Sequence, residues 1–185
     1  MTSEFVPGGA RTTKRATPSL ATPISASDPR LGAWRTMLHA QSHLVRRLDE
    51  DLRAAHGLSL AEYDALIQLV DAPGRRLRMS VLANRVLLSR SGITRLVDRL
   101  VADGMVERSV CPTDARGAEA SLTPAGLDRL RQASRTHLDG VERYFLDIVS
   151  PEDQGAIERG LGAVVDQLEA QGHADETPCS SPGEA

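Results

Sequence analysis

"LLSRSGITRLVDRLVADGMVER", residues 87–108, is the stretch whose reading decides the fold. Ser89 stands where an N-cap belongs, since its hydroxyl can accept from a free N–H of a first helical turn. From there Ile93, Leu96, Val97, Leu100 and Val101 recur at helical spacing and form one apolar face. The opposite face carries Arg90, Ser91, Thr94, Arg95, Asp98 and Arg99, and Gly104 ends the helix as its C-cap.

Just upstream, Leu82, Ala83 and Val86 predict a short helix over roughly 79–86. Downstream, "MVERSV" and "AEASLT" alternate in polarity around "CPTDARG", which reads as a hairpin with a long basic-tipped loop. Two short helices joined by a tight turn and followed by a hairpin make a winged helix-turn-helix. In that arrangement the second helix enters the major groove of DNA and the wing reaches an adjacent groove. An arginine can fork to guanine O6 and N7, while Ser or Thr can meet either a base or a phosphate. The competing reading, an amphipathic surface helix that binds nothing, leaves the capped start, the clustered hydroxyls and the basic hairpin without a common cause.

Charge agrees with this placement. Residues 72–116 hold nine arginines (75, 76, 78, 85, 90, 95, 99, 108, 116) against four acids (98, 103, 107, 114), so the segment carries +5 in a chain of net −3 and the rest carries −8. Such asymmetry fits a polyanion meeting one part of the protein, Arg78 among the contacts, or else an arginine-rich solvated face.

Working outward, residues 1–29 hold four prolines and no apolar periodicity and read as a disordered arm, as do residues 172–185. Arg11, Lys14 and Arg15 in the arm could touch DNA or belong to a plain flexible tail. A long helix begins at Leu31, with Leu38, Val45 and Leu52 at sevenfold spacing and Trp34, Gln41, Leu48 and Ala55 between them, and ends near Gly57. Ser59 and Glu62 form a capping box for a second helix through Val70, which "DAPG" at 71–74 stops. Thr123-Pro124 opens a further long helix bearing Leu127, Leu130, Leu138, Val141, Phe145 and Ile148. Pro151 starts the last helix, whose Ile157, Leu161, Val164 and Leu168 form a second apolar stripe.

Composition excludes several classes. At 185 residues, 41% hydrophobic and 25% charged, the chain reads as one soluble domain or two small lobes. Aromatics at 3% argue against a base-stacking platform for single strands. No run nears the roughly 20 apolar residues that span a bilayer, and the first 30 residues lack a signal-peptide core, so a cytoplasmic location without membrane contact is expected. Cys111 and Cys179 lie too far apart in sequence to suggest a structural disulfide. No nucleotide-binding glycine loop, Ser-His-acid motif or Cys-x-x-Cys pair appears, so no enzymatic activity is expected.

"LANRVLLSRSGITRLVDRLVADGMVERSVCPTDARGAEASLTPAG", residues 82–126, resembles the winged-helix core of the MarR family of bacterial transcriptional regulators. The Ser-x-Ser-x-x-Thr-Arg-Leu run, the Gly-Met-Val-x-Arg lead into a strand, the Asp-x-Arg wing and the Leu-Thr-Pro-x-Gly helix start carry the resemblance. The flanking helices extend it over about residues 31–170. It implies a mainly α fold with a small β-hairpin wing, divided into a disordered arm (1–29), a helical dimerisation region (30–57 and 123–171), a winged helix-turn-helix DNA-binding domain (58–122) and a disordered tail (172–185). It also implies a homodimer on a palindromic operator, acting as a repressor, whose interface would use Leu31, Trp34, Leu38, Ile157, Leu161, Val164 and Leu168. The interior of a single-chain bundle would use the same stripes. Asp114 and Arg116 match the family's Asp-x-Arg, in which the acid orients an arginine into the minor groove; a merely structural ion pair is the alternative. Leu87 departs from the pattern, because many relatives have Gly in that turn.

The resemblance further implies a ligand between the helical and DNA-binding lobes. Arg46, His56 and Tyr63 are candidate contacts for a small organic anion or drug at the junction of the first, second and fifth helices. His39 and His43, four apart on one helix, could share a zinc ion with His137, which would make the chain a zinc-responsive regulator. An inert thiol is the expectation for Cys111. A ligand-independent architectural DNA-binding protein is the competing class.

Overall fold

The structure, a computed structural model, describes residues 25–111 and 114–170, with side chains given except for residues 110–117. The predicted arm up to residue 24, the tail, Cys179 and the side chains of Cys111, Asp114 and Arg116 fall outside the described residues. In chain order the elements are α1 (Leu31–His56), α2 (Leu60–Val70), a 3-10 turn (Pro73–Arg75), β1 (Arg76–Arg78), α3 (Met79–Arg85), α4 (Arg90–Ala102), β2 (Val106–Cys111), β3 (Asp114–Leu122), α5 (Pro124–Val141), a π turn (Glu142–Leu146) and α6 (Pro151–Glu169). This is the mainly α fold with a small wing that the sequence predicts.

The chain divides after Leu38 into two compact units. In the first, the Asp28 carboxylate accepts from the Arg30 guanidinium at 2.6 Å and the Arg30 N–H at 2.9 Å, which hold its pKa below the usual carboxylate range.

The second unit holds the core. Leu52 of α1, Leu66 and Leu69 of α2, Leu82 of α3, Ile93, Val97 and Leu100 of α4 and Val106 of β2 are all sealed from solvent. Leu52, Leu82, Ile93, Val97 and Leu100 are inward positions that helical spacing marks, Val101 of the same predicted face is exposed, and burial of apolar area is what holds α4 down. The predicted N-caps of α2 and α4 are present, and Gly104 follows Asp103, the C-cap of α4, with φ 70°. Ser59 and Glu62 close a reciprocal capping box on α2, and the Ser89 hydroxyl accepts from the Gly92 N–H at 3.2 Å.

The sheet is three-stranded in the order β1-β3-β2, antiparallel throughout. The hairpin of β2 and β3 is as expected; β1 is not, because three residues are too short to show an alternation. Its place comes from pairing with β3, Arg76 opposite Ser121, Leu77 opposite Ala120 and Arg78 opposite Glu119, with Leu77 turned into the core. The start of α5 lies on the start of β2. Thr123 caps the helix and also donates to the Gly104 carbonyl at 2.8 Å, and a Cβ built on Gly126 would lie 2.1 Å from the Met105 carbonyl oxygen.

The expectation of one continuous helix to Ile148 needs correction. The Asp147 N–H reaches the Glu142 carbonyl at 2.9 Å, a bond five residues back rather than four, and the helix then stops. Tyr144 within this turn donates to Asp51 of α1 at 2.9 Å. Leu138 and Ile148, predicted on the apolar face, are exposed. Among the described residues no helix is long and apolar enough to cross a membrane.

Candidate nucleic-acid interface

α4 is pinned by one face and presents the other. Ser89, Arg90, Ser91, Thr94 and Arg95 line a shallow depression at its N-terminal end, so five of the predicted contacts share one surface. The Ser89 and Ser91 hydroxyls lie 3.3 Å apart, and the Thr94 hydroxyl donates to the Arg90 carbonyl at 2.9 Å, leaving its lone pairs open to a donor. Among the described residues neither Arg90 nor Arg95 has an acidic partner. Between Asp71 and Asp98 the only charged residues are arginines: Arg75, Arg76, Arg78, Arg85, Arg90 and Arg95.

Beside the depression lies a cleft of about 430 Å³, whose lining includes Arg78, Ser80, Asn84, Arg90, Thr94 and Arg108. It joins the predicted Arg78 to α4 and adds three residues to which the sequence reading assigns no contact. Ser80 and Asn84 have no charge to mark them, and Arg108 enters that reading only in the sum of charges. Its guanidinium lies 3.3 Å from Asp98, an exposed pair worth at most about 1 kcal/mol.

Arg99 is drawn elsewhere. Its Nε donates to Glu62 Oε1 at 2.7 Å, where the other carboxylate oxygen already accepts from the Ser59 N–H at 2.9 Å and hydroxyl at 2.8 Å. Burial opposes the charge on Glu62, but the Ser59 N–H, the Arg99 guanidinium and the Ser59 hydroxyl together outweigh it and hold the pKa below the ordinary value of 4.5. Arg99 thus ties the last turn of α4 to the first turn of α2, away from the depression. The predicted wing contacts, Asp114 and Arg116, have backbone positions in β3, and their side chains lie outside the described residues.

The junction of α1, α2 and α5 is polar. His56 meets Thr136 at 2.8 Å, the buried Tyr63 donates to Ser134 at 3.4 Å, and its ring stacks on His137 with centroids 4.5 Å apart. Burial lowers the His137 pKa below 6.5 against the opposing charge of Asp64, and its buried Nδ1 has no hydrogen-bond partner among the described residues. Arg46 does not join this group. It bonds Glu50 and His43, ten residues up α1 from His56, or about 15 Å at 1.5 Å per residue.

The three histidines named as zinc ligands are not brought together. His137 packs on Tyr63 near the α1 residue His56, whereas His39 and His43 lie more than three helical turns further up α1. Among the described residues no group of three or more His, Cys, Asp or Glu is placed to hold a metal ion. The i, i+4 spacing is real, but α5 meets α1 beside His56 at this point and reaches Leu48 only at Gly140, so His137 falls short of His43.

The predicted interface residues Trp34, Leu38, Ile157, Leu161, Val164 and Leu168 are all exposed, Leu31 partly so, and no residue of α6 is buried.

Comparison with known proteins agrees with this geometry. A model of the MarR family matches residues 56–117. The HTH-type transcriptional repressor YetL of Bacillus subtilis (strain 168) is 31% identical over 127 residues, 69% of this chain and 75% of its own length. Among solved structures, AbsC, a MarR family transcriptional regulator from Streptomyces coelicolor, superposes with a TM-score of 0.70 at 31% identity, over 80% of this chain and 99% of AbsC. Sco3205, a MarR family transcriptional regulator from the same organism solved in complex with DNA, gives 0.70 at 34% identity, over 78% and 93%.

Proposed function

The chain belongs to the MarR family and is a DNA-binding transcriptional regulator, and from that premise we propose that it acts as a homodimeric repressor on a palindromic operator and responds to a small ligand. Residues 58–122 are the DNA-binding part, and 30–57 with 123–171 the dimerising part. α4 enters the major groove, with Ser89, Arg90, Ser91, Thr94 and Arg95 toward base edges and phosphates. Arg78 and Arg108 flank it on the backbone, and the wing carries Asp114 and Arg116 toward the adjacent minor groove. The observation that carries this reading is the N-terminal half of α4. Its apolar face is sealed in the core, while Arg90 and Arg95 stand in solvent within a stretch that contains no acid.

Repression is supported by relatives such as the repressor YetL. The ligand reading is supported by the polar junction of His56, Tyr63 and His137, where a buried ring nitrogen lacks a partner among the described residues. The test is binding to a selected operator and to random duplex by fluorescence anisotropy. Arg95→Ala is expected to cost about 1 to 3 kcal/mol on the operator and much less on random DNA. An architectural protein would lose affinity equally on both, and that result would overturn the proposal.

A further inference from the structure

α3 and α4 end in the same hydrogen-bonded motif. At α4 the Gly104 N–H reaches the Val101 carbonyl at 3.0 Å and the Met105 N–H reaches Leu100 at 2.9 Å. At α3 the Leu87 N–H reaches Asn84 at 3.2 Å and the Leu88 N–H reaches Ala83 at 2.9 Å. The motif requires a left-handed residue, and Gly104 adopts φ 70° without strain. Leu87 adopts φ 55°, where its Cβ crowds the following carbonyl.

No burial of Leu87 offsets that strain. Its side chain is 90% exposed, more than any other large hydrophobic among the described residues, while its neighbour Leu88 packs against the core. A residue unfavourable to the fold in both backbone and solvation therefore stands two positions before Ser89, which caps α4 and lines the basic depression. Strain of this kind concentrates at ligand-binding sites.

We propose that Leu87 is a DNA-contact residue, its isobutyl group meeting apolar carbon of the groove wall, a thymine C5 methyl or the deoxyribose beside it, when α4 docks. The inference rests on the placement of α4 in the groove. It assigns to the turn the one kind of contact that Ser89, Arg90 and Ser91 provide poorly, since the thymine methyl is read by apolar groups.

The test uses the full chain and a duplex that it selects from a random library. Without DNA, Leu87→Gly is expected to melt above the parent. On the duplex it binds about tenfold weaker, about 1.4 kcal/mol, with an unchanged salt slope because no cation is lost. Leu87→Ala, which keeps the strained backbone, weakens binding to a similar degree. Uracil in place of thymine separates the two sources of carbon. A position where uracil weakens the parent but not Leu87→Ala identifies the methyl, and weak variants with no uracil effect identify the sugar. Parent-like binding by both variants, or a loss in Leu87→Gly alone, overturns the leucine's role and leaves the placement of α4 standing. A parent chain that selects no sequence overturns both.

Discussion

Arg95 and Arg99 lie four residues apart on α4, yet Arg99 reaches back to the carboxylate of Glu62 while Arg95 faces solvent. Removing each should therefore register in different measurements. Arg99→Ala takes a charged hydrogen bond from a buried carboxylate and is expected to lower stability by about 1 to 2 kcal/mol, with a matching fall in melting temperature and little change in operator preference. Arg95→Ala is expected to melt with the parent and lose its preference among sequences. If Arg99→Ala instead melts with the parent and relaxes specificity, its bond to Glu62 does not hold it in solution. On sequence grounds the two cannot be separated, because both fall on the polar face. What distinguishes them is the residue that another helix, 37 positions earlier, sets opposite. The caps were legible for the converse reason: Ser59 with Glu62, and Ser89 with Gly92, are contacts across three residues.

At the scale of elements, the joint between the wing and α5 depends on one absent side chain. Gly126 is buried with the Met105 carbonyl against it, so Gly126→Ala must push the start of α5 off β2. A loss of about 1 to 3 kcal/mol is expected, the usual range for overpacking. Chemical denaturation would measure it, and an unchanged midpoint would mean that α5 does not bear on the wing so closely. Helix positions were readable because long apolar periodicities repeat the same information. Three residues of β1 and a single π turn repeat nothing, and pairing partners far along the chain decide both.

At the scale of the whole molecule, α6 carries the apolar stripe that the proposed dimer would cover. A helix of 19 residues buries none of them, although Ile157, Leu161, Val164 and Leu168 form an apolar stripe along it. Helices take most of their stability from packing such a face. Leu161→Glu is therefore expected to shift the chain from dimer to monomer in analytical ultracentrifugation and to weaken operator binding by at least tenfold. A monomeric parent would remove the basis for two-fold recognition. If the dimer holds, the two α4 helices should meet half-sites about 10 base pairs apart. The stripes were legible in sequence, but whether they face inward or toward a second copy was not, since burial depends on how much core the remaining elements already fill.

The π turn at Glu142–Leu146 makes the chain count residues there. Each residue turns an α-helix by about 100°, so the one extra residue in this turn sets the phase in which the chain leaves α5. Gln154, whose amide holds the carbonyls of Leu146 and Val149, meets them only in that phase. A gain or loss of a single codon between 142 and 149 would carry the Leu146 and Val149 carbonyls off the Gln154 amide. In this segment inheritance must preserve the length as well as the Tyr144 hydroxyl that holds Asp51.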